Sequence, residues 1–367
     1  MANGAVAVSQ APAMGATSAG NPFQVATNLY AEKNRQPAFS GLIAPGQQPF
    51  GFAVNAGNFM RSVRMLIRTT TPGVAGTVLG ADGVFNILTN LSMSNVDGSE
   101  ILYAMNGWTH SQASKYFRPW DNDPFTAYDY STAVNSPAGT LVLKPEIRWT
   151  AGCLANTDSR SQYNVQGYIN TLAAVGAGYT TAPTISVTPY LDAYAQPDPT
   201  DLQGVPNQVI PPGVNLQYKR RHQLNTGLSG AGGNNIIPMA MTGNALRGVF
   251  LVFRDSTGAR QDGLSDPVSW RIDNRNLGKF SPDIIFQWMQ DHYSDWAQSP
   301  RATGVYVFPR FLLPGQLTGT GWLYTSNATQ MIWEFATAAG IVGSPSVETV
   351  TDEVYPVGPV DPTLVDI

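Results

Sequence analysis

Apolar and polar residues alternate with a period of two along much of the chain between residues 50 and 340. In 59–68, Phe59, Val63, Met65 and Ile67 fall on one face and Ser62, Arg64 and Arg68 mostly on the other, the pattern of a half-buried strand. Further strands are predicted at 84–93, 101–105, 141–149, 184–194, 246–254, 268–272, 304–311 and 331–337, separated by clusters of Gly, Pro, Asn and Asp. Two stretches carry the helical period instead. One opens at Ser281-Pro282-Asp283, where Ser281 can cap, Pro282 suits the first helical position and Asp283 complements the dipole, and Ile285, Trp288, Met289 and His292 then share a face. The other runs from about Thr109 to Phe117 and is stopped by Pro119. Many short strands with little helix predict an all-β protein of packed sheets, with short helices and extended terminal arms.

The order strand group, helix, further strands occurs around 59–194 and again around 246–337, which two copies of one β-sandwich would explain. The offsets between corresponding elements drift, so the repeat is expected in structure rather than as a legible duplication of sequence. A proline-rich stretch, Pro197 and Pro199 through Pro206 to Pro211-Pro212, forms the junction, and the boundary is placed near residue 205. The organisation expected is an N-terminal arm 1–45, a first unit 46–205, a second unit 206–340 and an extended C-terminal arm 341–367.

Composition supports the arms. Residues 1–31 hold no charged side chain and few large apolar ones, so they read as a strap docked by Phe23, Leu29 and Tyr30 or as a mobile tail. The stretch 341–367 carries Pro345, Pro356, Pro359 and Pro362 and five acids (Glu348, Asp352, Glu353, Asp361, Asp366) without a single Lys or Arg. It reads as an extended strap or a solvated tail.

Composition also excludes classes. With 36 Gly and 27 Pro in 367 residues, a long helical bundle is ruled out. The 43% hydrophobic content against 13% charged excludes a disordered chain. The net charge of -4 does not match a phosphate backbone, so no specific nucleic-acid recognition is expected. A lone Cys153 and three scattered histidines, His110, His222 and His292, give neither a disulfide scaffold nor a zinc module. The first basic residue is Lys33 and no apolar run reaches the roughly 18 residues of a membrane span, so synthesis as a soluble protein in a reducing cytoplasm is expected.

Chemistry-bearing strings are few. No nucleophile elbow occurs, and Gly230-Ala231-Gly232-Gly233 lacks the Lys-Ser or Lys-Thr of a phosphate loop, so it reads as a surface loop. Asp121 and Asp123 lack the glycine and closing glutamate of a calcium loop and read as a turn between prolines. Tyr116, Phe117, Trp120, Phe125, Tyr128 and Tyr130 crowd one segment, either an inter-subunit contact or a core corner. The one basic cluster, Lys219-Arg220-Arg221-His222, either touches nucleic acid or pairs with acids at a subunit boundary. No catalytic, cofactor or metal residues are assigned. Besides a structural protein, the residues leave open a carbohydrate-binding β-sandwich using exposed aromatics and, less well, a glycosidase with paired carboxylates.

The strongest signal is the succession of elements in the second half: 244–254 as an early strand, the helix 280–293 after Asn274-Arg275-Asn276-Leu277, then Gly304-Val305-Tyr306-Val307-Phe308, Gly321-Trp322-Leu323-Tyr324 and Gln330-Met331-Ile332-Trp333-Glu334-Phe335. In the first half, 137–143 and 184–194 match the later strands of such a unit. In this order the chain resembles a major capsid protein of the double jelly-roll lineage, of the type found in tailless, membrane-containing double-stranded DNA phages (the tectivirus type). The resemblance covers most of 50–340 and rests on the order of elements, without a diagnostic motif. It implies two eight-stranded jelly rolls in one chain, pseudo-hexagonal homotrimers tiling an icosahedral shell, and a place in the virion. The partners it implies are neighbouring trimers, minor capsid, vertex or cement proteins, and weak contact with an internal lipid membrane. No enzymatic activity and no cofactor are implied.

Overall fold

The computed structural model describes residues 31–354 apart from 35–36, 55–57, 81, 118–134, 146–153, 157–159, 161, 196–217, 241–242, 274, 294–300, 310–321 and 326–327. The first half contains β1 (Ala31–Asn34), β2 (Phe39–Leu42), β3 (Gln48–Val54), β4 (Asn58–Thr71), β5 (Val74–Leu79), β6 (Leu88–Ser94), β7 (Glu100–Met105), helix α1 (Gly107–Phe117), β8 (Gly139–Leu143), β9 (Leu154–Asn156), β10 (Tyr163–Ile169), β11 (Gly176–Thr181) and β12 (Thr184–Ala195). The second half contains β13 (Tyr218–Asn225), β14 (Asn234–Met239), β15 (Ala245–Arg254), β16 (Leu264–Ile272), β17 (Arg275–Phe280), helix α2 (Pro282–Tyr293), β18 (Val305–Pro309), β19 (Leu323–Tyr324), β20 (Met331–Thr337) and β21 (Ser346–Val354).

Three sheets carry the architecture. One has the order β1-β12-β4-β8, with β2 on β12 and β9 on β4; the second runs β18-β15-β21-β13-β7-β6-β10-β3; the third runs β14-β20-β16-β17. Setting aside the separate β5–β11 pair, each half supplies eight strand positions in chain order, with β1 and β2 sharing the first position of the first half, β8 and β9 its sixth, and β18 and β19 the sixth of the second half. Both halves fold identically: positions one, eight, three and six form one sheet, and two, seven, four and five the other. That is the jelly-roll topology, twice in one chain. The helix falls between positions five and six in both rolls, as the recurrence in the sequence predicts.

The rolls are fused through a shared sheet. Strand β13, first of the second roll, lies parallel to β7 of the first, with Arg220 opposite Leu102. Two apolar cores result. In the first roll Met60, Val63, Met65 and Ile67 of β4 meet Leu91, Met93 and Val165. In the second, Trp270 stacks on Trp333 at 5.0 Å and Phe308 lies 4.4 Å from Trp333. Helix α2 docks by Ile285 and Met289, both buried, while Phe286 stacks on Tyr306 at 5.1 Å.

The structure corrects several expectations. On β4, Met60 and not Phe59 joins the buried row, because the pairing slips at Arg61: Met60 faces Ala193 but Ser62 faces Asp192. A β-bulge of this kind reverses the facing of every residue beyond it. The strand expected at 84–93 starts at Leu88, since Gly83–Ile87 forms a 3-10 turn with Gly83 at φ 61°. The N-terminal arm 1–45 is too long, because β1 and β2 hydrogen-bond along the free edge of β12. The C-terminal arm also begins too early. Between Pro345 and Pro356 the chain forms β21, inserted between β13 and β15, with all of Val347–Val354 buried. The junction near residue 205 and the aromatic and Asp positions from 120 to 130 lie outside the described residues.

Strand β15 is buried on both faces: every residue of Ala245–Phe253 is inaccessible. The Phe253 ring lies against Gly263, where a Cβ would come within 2.0 Å of it, on the face opposite Phe250. Phe253→Ala should therefore lower the unfolding free energy by about 3–5 kcal/mol in denaturant titration. An unchanged midpoint would place Phe253 elsewhere.

Candidate functional site

The face of β15 that turns away from the second roll's core meets helix α1 of the first roll. Phe250 contacts Tyr116 at 6.0 Å and Phe117 at 6.4 Å. Gly248 permits this approach, since a Cβ there would lie 2.8 Å from the Phe117 ring. Trp108, Ala113, Tyr116 and Phe117 consequently belong to the second roll's apolar cluster although they come from the first.

Around this apolar centre runs a buried polar network made by both rolls. Arg254 Nε donates to Glu348 Oε1 at 2.6 Å and its Nη2 to Asp82 Oδ2 at 2.8 Å, while Arg260 Nε reaches Asp82 Oδ1 at 2.9 Å. Both guanidinium groups lie over Trp108, at 5.6 and 4.3 Å from the ring centre, adding cation–π attraction. Thr109 of α1 donates to Glu348 Oε2 at 2.9 Å, and His222 stands 3.5 Å from the same oxygen. Arg220 reaches Ser114 Oγ at 3.3 Å and the His110 carbonyl at 3.5 Å. Arg247, the bulged residue of β15, lies 3.3 Å from Asp352 and donates to the Phe117 carbonyl at 3.2 Å. On the other face of β21, Glu353 accepts from Arg221 at 3.1 Å and Asn244 at 2.7 Å.

The basic cluster of the sequence is therefore consumed within the chain. Arg220 is buried, Arg221 is paired with Glu353 and His222 faces Glu348, which puts the acid partners within the chain and not at a subunit boundary, and corrects the alternative of a nucleic-acid contact and the expectation that the acids of β21 are solvated. Of the two described histidine side chains, His110 is fully buried on α1 and donates from Nε2 to the Leu91 carbonyl at 2.8 Å. Gly230–Gly233 forms the surface turn between β13 and β14.

Electrostatics follow from burial. Desolvation alone would raise the Glu348 carboxyl, but His222 and Arg254 outweigh it and hold it at about 2. Desolvation drives the His110 imidazole down to about 3, with Arg220 adding to the effect. Among the described residues no cluster of His, Cys, Asp and Glu has the makings of a metal site, and no helix is long and apolar enough to cross a membrane. What the arrangement does is lock two rolls into one rigid block.

Two jelly rolls joined through one sheet and clamped by a helix define a double jelly roll, the fold of major capsid proteins of several icosahedral viruses. Over most of its length the chain is similar to three solved structures. The atomic structure of Sulfolobus Turreted Icosahedral Virus matches with a TM-score of 0.62 at 12% identity, covering 89% of this chain and 91% of that one. The STIV MCP crystal structure gives 0.61 at 10% identity, covering 89% and 96%. The major capsid protein P2 from bacteriophage PM2 gives 0.53 at 9% identity, covering 90% and 98%. At these identities the likeness is one of fold. No protein-family model and no curated protein sequence matches the chain.

Two outcomes test the network. Glu348→Gln should cost about 3–5 kcal/mol at pH 7, because it leaves Arg254 short of a buried partner. The depressed acid stabilises the fold above its ordinary pKa of 4.5 and loses this effect as pH falls toward 2, so the gap between variant and wild type should close over that window in denaturant titrations. His110 shifts stability in the same direction, since it too is held deprotonated in the fold. It is neutral when folded, so acid favours the unfolded chain below about 6.5, by up to about 1.4 kcal/mol per pH unit. His110→Gln should remove that slope.

Proposed function

We propose that the chain is a major capsid protein, a shell-forming structural protein without enzymatic activity, which assembles as homotrimers that tile an icosahedral virion. The observation that carries this reading is the fusion of two complete jelly rolls through β7 and β13, which makes one chain a rigid two-unit tile. Self-association follows from the architecture, since a tile functions only beside copies of itself. Neighbouring trimers, minor or cement proteins and, weakly, an internal lipid surface are the remaining partners in this reading. Residues 1–30, free of charge, are assigned to contacts between subunits or at that lipid surface.

The carbohydrate-binding alternative loses ground on one observation. Among the described large hydrophobic side chains that stand exposed, only Tyr168 is aromatic, at 40%, so the described surface offers no stacking platform for sugar rings.

Light scattering on the purified full-length chain should give the mass of a trimer at micromolar concentration, with large interfaces keeping it closed on dilution. Deleting residues 1–30 should leave the thermal midpoint unchanged while reducing the yield of assembled particles. A monomer at all concentrations would overturn the reading.

A further inference from the structure

Charge is segregated by strand in the shared sheet. Strand β13 holds Lys219, Arg220 and Arg221 and no acid, and β15 holds Arg247 and Arg254 and no acid. Strand β21 holds Glu348, Asp352 and Glu353 and no Lys or Arg. The acidic strand lies between the two basic ones and is antiparallel to both over nearly all of its length. The charges meet on both faces. Toward α1, Glu348 meets Arg254 at 2.6 Å and Asp352 meets Arg247 at 3.3 Å. On the opposite face Glu353 meets Arg221 at 3.1 Å. Asp352 also stands in register with Arg220, and both are buried.

Strands β13 and β15 cannot serve as each other's partner. Both are antiparallel to β21, so they run parallel to one another, and closing the gap would bring Arg220 beside the bulge at Arg247 and Gly248 with no acid from either strand. Like charges set opposite one another destabilise a sheet, and these two guanidinium groups would be held out of water as well. The strand that relieves them is the last in the described order. It is reached through residues 339–344, of which all but Ile341 are exposed and Val342 stands at 80%.

We propose that the space between β13 and β15 is a charge-gated slot for an acidic strand. It stays open until residues 346–354 enter, and it accepts that segment from a separate molecule when the connecting turn is cut. The chain itself shows the occupant and its register. Repulsion between the two basic strands holds the slot open and the three acids close it, so an uncharged strand of the same shape does not fill it. The inference rests on the sheet and its ion pairs and is independent of what the chain assembles into.

A protease site inserted after Val342 in the full-length chain tests the slot. After cleavage of the folded protein, the piece from Gly343 onward should stay bound in native buffer. When the cut protein is unfolded in urea and diluted, the body should regain its native midpoint only with that piece, or with a synthetic peptide of residues 343–356, present. The same peptide carrying Glu348→Gln, Asp352→Asn and Glu353→Gln should be taken up at least about tenfold less well. A body that regains the midpoint alone, a body that the acidic peptide does not restore, or equal uptake of the neutral peptide would overturn the proposal. Pulsed hydrogen exchange on the wild-type chain checks the gate without an insertion. The amides of β13 and β15 that bond β21 should become protected in the same step as those of β21, and protection of them in an earlier step would show that the two strands close without it.

Discussion

Three carboxylates, those of Asp82, Glu348 and Asp352, are taken out of water at the junction of the two rolls, and the arrangement of the molecule follows from the need to meet them with arginines. An unpaired buried carboxylate costs several kcal/mol, so β21 can occupy the interior of the shared sheet only if β15 brings Arg247 to Asp352 and Arg254 to Glu348, with Arg220 of β13 in register with Asp352. Those arginines in turn have donors left over after the second roll is satisfied. The first roll accepts them: Asp82, Ser114 and the carbonyls of His110 and Phe117 all belong to it.

This division of donors explains why the chain is one block and not two beads. The apolar cores overlap across the junction, with Trp108, Tyr116 and Phe117 serving the second roll and Val354 serving the first, so neither roll has a complete inventory alone. Strand β21, the last of the described strands, also has to arrive before the seam is complete. Strand β21 carries Glu348 and Asp352, and it lies between the first and third strands of its roll. Thr109 of helix α1 therefore has no Glu348 to bind until the C-terminal part of the chain has folded in.

How much of this was readable beforehand depended on where each strand's partner lay in sequence. Strands with apolar alternation, such as β4, β12, β15 and β20, were legible because burial of one face or both is written in the local pattern. The two helices were legible from Pro282 and Asp283 and from the stop at Pro119. Strand β10 was missed although its burial alternates strictly, because Gly167 interrupts its buried row and the aromatic Tyr168 stands in its exposed one. Strands β13 and β21 were missed for a deeper reason. Their side chains are charged, and a buried charge looks like a solvated one until its counter-ion is known; for Arg221 and Glu353 that partner is 132 residues away. The resemblance to double jelly-roll capsid proteins supplied the overall topology, while the residues alone gave two sandwiches and misassigned both ends.

The polar seam also fixes geometry that an apolar one would leave loose. A hydrophobic face between helix and sheet tolerates sliding, because any apolar surface will do for its partner. Here each arginine is held by groups of both rolls in different directions: Arg254 between Glu348 and Asp82, Arg247 between Asp352 and the Phe117 carbonyl. A helical turn is about 5.4 Å, so displacing α1 by even part of a turn would break the Arg247, Arg220 and Thr109 contacts together and strand their partners without water. The bulge at Arg247 has the same effect on the sheet side, since it turns that one arginine toward the helix while keeping Val249, Leu251 and Phe253 in the core. Two rolls that must keep a constant angle to one another are served by directional bonds of this kind.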